Sequence, residues 1–451
     1  MTMDMELLQR YDAPVPRYTS YPTAPHFHAG IDAEVYRDWL AEIPAGERMS
    51  LYLHVPFCTR MCWYCGCHTK VVRQYQPVGD YAAVLDREIA LTAGAVPKGR
   101  EVSHVHWGGG TPTMLSPDDF SALMSALRER FDFAEDAEVA VEIDPRTLTR
   151  EKAAAMAGAG VTRASLGVQD FNDIVQQAIN RVQPFEMSAE VIDWLRGAGI
   201  EAINFDLMYG LPHQTVELVL HSVDLAVKLA PDRLALFGYA HVPWMKKHQQ
   251  MIDESTLPGA AERLHQAEAA AGRLAEHGYR RIGLDHFARA EDSLTRALDE
   301  GRLRRNFQGY TDDQATALLG FGASAIGSLA QGYVQNAVPF GAYADAIKSG
   351  RLAVTRGVEV DADDRLRRAV IERLMCDLSV DLSAVGADLG APPDGFAGEL
   401  SALAPMARDG LVELDGSRVR ITETGQPLMR TVCAVFDRYL GTGKGRHSRA
   451  V

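Results

Sequence analysis

The sequence predicts an α/β protein: a parallel sheet with helices outside it, followed by a smaller, mostly helical module. Three observations predict it. From residue 49 short apolar runs alternate with amphipathic helical stretches, polar residues gather where several of those runs end, and the alternation stops near residue 360. Strands alternating with helices imply parallel pairing, since a crossover of helical length is needed to return the chain to the same edge of the next strand.

Residues 1–45 lack regular periodicity but hold Pro14, Pro16, Pro22 and Pro25 around the aromatic stretch Pro16-Arg-Tyr-Thr-Ser-Tyr-Pro-Thr23. A dangling tail is usually less aromatic, so this segment reads as an extended arm packed on the main domain. Residues 46–360 form that domain. Strand-like runs fall at 49–55, 102–107, 137–143, 163–168, 202–208, 233–238 and 279–285, with amphipathic helices between them at 80–95, 117–130, 187–198, 217–229 and 260–277. Glu142, Gln169, Asp206, Tyr239 with His241, and Asp285 with His286 lie at or just past five of the run ends. Polar side chains at the C-terminal ends of successive strands mark the active face of a barrel-like sheet.

Residues 361–451 change character. Helices are expected at 363–379 and 393–407, then a hairpin turning at Asp415-Gly416, then a final helix over 424–440 and a mildly basic tail from 443. Helices followed by a small hairpin suggest a winged-helix-like module. Its hairpin carries two arginines and no basic run, so packing against the barrel is favoured over binding nucleic acid.

The net charge of −14 over 451 residues argues against nonspecific nucleic-acid binding and requires a local basic pocket for any anionic substrate. No apolar run has the length of a membrane span, no signal pattern opens the chain, and six cysteines make no disulfide framework. These features predict a cytoplasmic chain, expected to be monomeric because no exposed apolar stripe stands out.

Four of the six cysteines fall within ten residues, as Cys58-Thr-Arg-Met-Cys-Trp-Tyr-Cys-Gly-Cys67. Three thiolates spaced C-x3-C-x2-C can hold three irons of a four-iron cluster and leave the fourth open to a ligand. The alternative is a zinc knuckle closed by Cys67 or His68, awkward because only Gly66 separates Cys65 from Cys67. Directly after the second strand comes Trp107-Gly-Gly-Gly-Thr-Pro-Thr113, where glycines allow close backbone approach to a ligand.

These two motifs resemble the radical S-adenosylmethionine (SAM) superfamily. The arm, the Cys58–Cys67 stretch with its extra cysteine, Ser165-Leu-Gly-Val-Gln-Asp-Phe-Asn172, Asp206-Leu-Met-Tyr-Gly-Leu-Pro212, Gly283-Leu-Asp-His-Phe-Ala288 and Arg305-Asn-Phe-Gln-Gly-Tyr-Thr311 are similar, within it, to the oxygen-independent coproporphyrinogen III oxidases. The resemblance runs from about residue 15 to the C-terminus and implies a partial, TIM-like (β/α)6 barrel. It implies that two propionates of coproporphyrinogen III become vinyl groups by loss of hydrogen and carbon dioxide, giving protoporphyrinogen IX. The radical would come from SAM, reduced through a 4Fe–4S cluster on Cys58, Cys62 and Cys65. A reducing donor such as a flavodoxin or ferredoxin would supply the electron, and a terminal acceptor that the sequence does not name would take one back.

The resemblance also implies two SAM molecules. Tyr52, Gly66, Gly109, Glu142 and Ile326 would surround the first, with Glu142 on its ribose hydroxyls and Ile326 against its adenine. Gly110, Thr111, Gln169, Arg181, Asp206 and Ala240 would serve the second. Cys67 would be a spare thiol in the pocket, and it and Tyr52 are the residues placed nearest the reaction. Arg17, Arg60, Arg289 and Arg305 flank the matched motifs and are candidate propionate clamps; the arm would close over the substrate. One departure from the pattern, Trp244-Met-Lys-Lys-His248, is expected to reshape a loop near the second SAM and leave the cluster alone. Rival readings are a heme chaperone or heme-degrading methyltransferase on the same barrel, and a zinc-structured nucleic-acid-binding module.

Overall fold

The computed structural model describes residues 5–390, 392 and 395–442. The expected tail from 443 lies outside the described residues. Six parallel strands form the centre of the main sheet: β1 (Arg48–Val55), β2 (Glu101–Gly109), β3 (Asp132–Ile143), β4 (Arg163–Gln169), β5 (Ala202–Tyr209) and β6 (Arg233–Gly238). They carry core residues such as Leu51, Leu53, Trp107, Val141, Leu166 and Phe205, packed under the helices. Two long elements illustrate why the helices form. Ser116 accepts from the Asp119 N–H at the start of Pro117–Arg130, with Asp118 and Asp119 in its first turn and Arg128 and Arg130 in its last. Thr215 caps Val216–Lys228 in the same way, through the Leu218 N–H.

The sheet extends on both sides. Beyond β6 lie β7 (Arg280–Ile282) and β8 (His286–Ala288); beyond β1 lie β9 (Ala317–Phe321), β10 (Ile326–Ser328), β11 (Gly332–Asn336) and β12 (Val354–Glu359). The order is β12-β11-β10-β9-β1-β2-β3-β4-β5-β6-β8-β7, so the barrel is partial and its edge strands do not pair with each other. β9 runs parallel to β1; the others added at the two sides pair antiparallel with their neighbours.

Three expectations need correction. The run 279–285 is no seventh barrel strand: the chain reverses at Gly283, whose φ is +57°, and β7 pairs antiparallel with β8. The final helix expected over 424–440 is a short 3-10 turn at Gln426–Leu428 and one helix at Met429–Ala434, beyond which the Val435 and Phe436 N–H groups bond three residues back and the chain tightens into turns. The arm is not extended throughout, since Met5–Tyr11 and Ala33–Ala41 are helical, and it packs on two bodies. Leu8, Val15, Tyr18 and Tyr21 join the core of the C-terminal module, whereas Ile31, Tyr36 and Trp39 join the barrel core.

The C-terminal module contains Ala362–Asp377, Leu382–Leu389 and Ala397–Arg408 around a three-stranded antiparallel sheet, with the hairpin turning at Gly416 as expected. Leu264 and Leu284 of the barrel side pack into its core.

Candidate functional site

The cysteine loop follows β1 and is tied down by two segments. The Trp63 N–H donates to the Ile179 carbonyl at 3.0 Å and Asn180 Nδ2 to the Met61 carbonyl at 2.8 Å. His248 Nε2 meets the Cys65 carbonyl at 2.7 Å, Lys246 Nζ the Cys67 carbonyl at 3.1 Å, and Gln249 Nε2 the Tyr64 carbonyl at 2.8 Å. The 244–248 departure therefore does bear on the cluster loop: two of its residues grip that loop's backbone, a correction to the expectation that it leaves the cluster alone.

Each of the three cysteine sulfurs has a polar partner. Cys62 Sγ accepts from Arg146 Nη2 at 3.3 Å and Arg181 Nη1 at 3.6 Å. Cys58 Sγ accepts from the Thr69 hydroxyl at 3.2 Å and lies 3.4 Å from the Thr111 hydroxyl. Cys65 Sγ accepts from the Cys67 N–H at 3.4 Å. Sulfurs surrounded by donors suit thiolates that carry the charge of an iron–sulfur cluster, so the residues fit the expected group. Among the described residues no three His, Cys, Asp or Glu side chains converge as ligands of a single metal ion. Ligands on separate irons of a four-iron cluster need no such convergence.

Behind the loop, Tyr52 of β1 stacks against His106 of β2 at 5.9 Å, as their cross-strand pairing dictates. His106 Nε2 lies 3.1 Å from Glu142 Oε1, and the Gly109 N–H donates to Glu142 Oε2 at 3.1 Å. Gly109 has φ of +117°, and a Cβ on Gly110 would stand 2.8 Å from the Phe57 backbone, so the glycine turn lies against the root of the cysteine loop. The register of β4 shifts at Gln169, which takes a left-handed φ of +70°. Gln169 and Arg181 flank Gly167, whose carbonyl accepts from Arg181.

Arg181 is buried and also approaches Asp144 at 3.4 Å, while Arg146 donates to Asp144 at 2.6 Å. Burial pushes the Asp144 carboxyl up, but the two guanidiniums outweigh it and hold the group at about 2. Asp206 forms no ion pair among the described residues. It lines a cavity of about 210 Å³ in the barrel lumen with Glu142, and burial followed by the Glu142 charge pushes its pKa up to about 7.

The remaining candidates are scattered. Gly66 and Cys67 are exposed on the loop. Ile326 begins β10, packed against the Phe27 and Tyr333 cluster beneath the arm. Ala240 follows β6 and lines a cavity of about 570 Å³, as does Arg17, whose Nη2 donates to the Gly238 carbonyl at 3.0 Å. Arg305 lies over the Tyr310 ring at 4.4 Å and lines a separate cavity of about 480 Å³ beneath arm residues 18–21. Arg60 is exposed on the cysteine loop. Arg289 is not brought to the site: its N–H meets the Asp232 carbonyl and its side chain stacks on Tyr279, at the end where β6 begins. Sequence reasoning passed over Asp144, Arg146, Thr69 and His106. Asp144 and Arg146 were within reach of the strand-end rule, since they follow β3 directly; Thr69 had no such signal.

Residues 52–226 match the family model of the radical SAM superfamily, and residues 360–428 that of the HemN C-terminal domain. The chain is 55% identical over 437 residues to an oxygen-independent coproporphyrinogen III oxidase of Bradyrhizobium diazoefficiens, covering 97% of each chain. It is 45% identical to one of Paracoccus denitrificans, covering 99% of each. Among solved structures, coproporphyrinogen III oxidase (HemN) from Escherichia coli, a radical SAM enzyme, superimposes with a TM-score of 0.92 at 39% identity, over 98% of this chain and 100% of that one.

Proposed function

This chain belongs to the oxygen-independent coproporphyrinogen III oxidases of the radical SAM superfamily, and from that premise we propose how its residues divide the work. The reaction is the oxidative decarboxylation of two propionates of coproporphyrinogen III to vinyl groups, giving protoporphyrinogen IX for heme biosynthesis. A 4Fe–4S cluster held by the loop cysteines, together with SAM, would supply the one-electron cleavage of SAM that starts the abstraction of hydrogen.

In this reading Cys58, Cys62 and Cys65 ligate three irons. Arg146, Arg181, Thr69 and the Cys67 N–H offset the sulfur charge. The Gly109 N–H and His106 hold Glu142 so that its carboxylate can accept the ribose hydroxyls of the first SAM. Tyr52 and Ile326 border that SAM. Gly110, Thr111, Gln169, Arg181, Asp206 and Ala240 would serve a second SAM. Residues 1–45 act as an arm over the site, 46–360 as the catalytic body and 361–451 as a helical module that anchors the arm. The chain works as a cytoplasmic monomer, takes electrons from a small flavodoxin or ferredoxin, and returns one to an acceptor of unassigned identity. No described helix is long and apolar enough to cross a membrane.

The observation that carries this reading is the donor set around all three cysteine sulfurs, in a chain aligned end to end with the family. The test is anaerobic incubation of reconstituted protein with SAM, reductant, electron acceptor and coproporphyrinogen III, with product read as protoporphyrin fluorescence after oxidation. Protoporphyrin from the wild type and none from Cys62→Ser is expected. SAM cleavage without protoporphyrin would move the substrate toward heme and the rival barrels.

A further inference from the structure

The cavity of about 570 Å³ beside β6 is walled by four separate parts of the chain. Arg17 enters from the arm, Arg263 from the helix Ala260–Glu276, Arg281 from β7 and Arg430 from the helix Met429–Ala434. Two carboxylates, Glu268 and Asp285, also face it. Asp285 is engaged elsewhere: its Oδ1 lies 2.8 Å from His286 Nδ1 and 3.8 Å from Arg305 Nη1.

All four arginines lean on backbone carbonyls; Arg430 Nη1 donates to Val15 at 3.2 Å. Arg17 Nη2 donates to Gly238 at 3.0 Å, Arg263 Nη1 to Tyr239 at 2.8 Å and Arg281 Nη2 to Leu284 at 3.0 Å. Among the described residues none of these three forms an ion pair, and Arg281 Nε is buried without a hydrogen-bond partner. Burial lowers the pKa of Arg17 and Arg281, and Arg430 is pushed down to about 10 by burial and then by Arg17. Collecting guanidiniums in a confined space against neutral carbonyls costs free energy, which an arriving carboxylate recovers through charge-assisted, forked hydrogen bonds.

We infer that this cavity binds propionate carboxylates of the tetrapyrrole, with Arg263 and Arg281 as anchors for the propionates that are not reacting. The inference rests on the coproporphyrinogen reading and deepens it. The substrate carries four carboxylates and the product keeps two, so some must be held while another is presented to the radical. The cavity adjoins the site through one segment: Gly238, Ala240 and Trp244 line it, and the chain runs on from them into Lys246 and His248, which grip the cysteine loop. Much of its remaining wall is apolar, with Leu236, Leu264 and Phe287 available to pyrrole rings.

The test is turnover of coproporphyrinogen III by anaerobically reconstituted holoenzyme, paired with fluorescence titration by coproporphyrin III, a tetracarboxylate, and mesoporphyrin IX, a dicarboxylate. Arg281→Gln is expected to raise KM and the coproporphyrin Kd about tenfold or more, with kcat changed less than about threefold, as loss of hydrogen bonds to a charged group implies. Arg281→Lys should recover part of the loss, since it restores charge without the fork. Iron content and melting temperature report folding, and Arg263→Gln serves as the second variant. Wild-type KM and Kd in both Gln variants would overturn the inference, as would coproporphyrin binding no tighter than mesoporphyrin binding. Failure of the parent reading looks different: the wild type itself then forms no protoporphyrin. The titration still decides in that case, because arginine-dependent preference for the tetracarboxylate supports the cavity and arginine-independent binding sinks it.

Discussion

The two ends of the barrel lumen hold similar residues under opposite electrostatic conditions. Where the strands begin, charges are matched: Arg233 Nε lies 2.7 Å from Asp292, Arg163 Nε lies 3.0 Å from Glu138, and Asp313 takes His104 at 3.1 Å together with the Ser50 hydroxyl. Burial pushes the Asp313 carboxyl up, and those partners bring it back below the usual carboxylate range. Where the strands end, Glu142 has His106 at 3.1 Å but no arginine, Asp206 forms no ion pair among the described residues, and Asp206 rises to about 7. The matched end holds the barrel together. The unmatched end keeps its hydrogen-bonding capacity for what binds there, at some cost to stability.

The sharpest way to break this comparison is to remove one residue from each end. Cys62→Ser, at the strand-end face, should leave the fold intact while abolishing iron loading and protoporphyrin formation; iron analysis and circular dichroism read both. Arg233→Met, at the other end, leaves Asp292 buried without its closest cation. Breaking a buried pair in this way costs about 3–5 kcal/mol. Denaturant unfolding should show that loss, while activity per folded, iron-loaded molecule stays near wild type. Activity lost with stability unchanged would reverse the assignment of the two ends.

The barrel was legible because buried parallel strands write themselves as short apolar runs, and β1, β4, β5 and β6 lie within one or two residues of the expected bounds. The sequence reading failed where sheet edges depend on long-range pairing. The run 279–285 looks like one strand until the turn at Gly283 is recognised, and β9–β12 gave no pattern strong enough to be separated from loop. In the site, spacing alone pointed to Cys58, Cys62 and Cys65, whose sulfurs the structure surrounds with polar partners. Arg289 misled because closeness in sequence to a matched motif does not fix which end of a strand a side chain occupies. Asp144, which gathers Arg146 and Arg181 behind Cys62, follows Glu142 by two residues and was hidden by attention to the strand itself.

Two smaller effects sharpen the contrast at the strand-end face. Glu142→Gln removes the charged acceptor proposed for the ribose hydroxyls. Hydrogen bonds to a charged group contribute about 1.5–3 kcal/mol, so SAM affinity measured by equilibrium dialysis on the holoenzyme should fall roughly 10- to 100-fold. An unchanged affinity would remove Glu142 from the first SAM.

Asp206→Asn tests the uncompensated carboxyl directly. Its folded pKa of about 7 stands above the ordinary aspartate value of 3.8, so between those pH values the folded state holds a proton that the unfolded chain has released. Stability from this group is therefore greatest below pH 4 and declines as pH rises toward 7, because ionising the buried acid opposes folding. Asparagine stays neutral throughout, so urea unfolding at pH 5.5 and 8 should show a flatter profile for the variant. The gain at pH 8 relative to pH 5.5 should be on the order of 1 kcal/mol, with Glu142 sharing the cavity as the main modifier. A pH slope equal to that of the wild type would mean that Asp206 is already ionised at neutral pH and compensated much as Asp313 is, and the two ends of the lumen would then differ in sequence but not in charge balance.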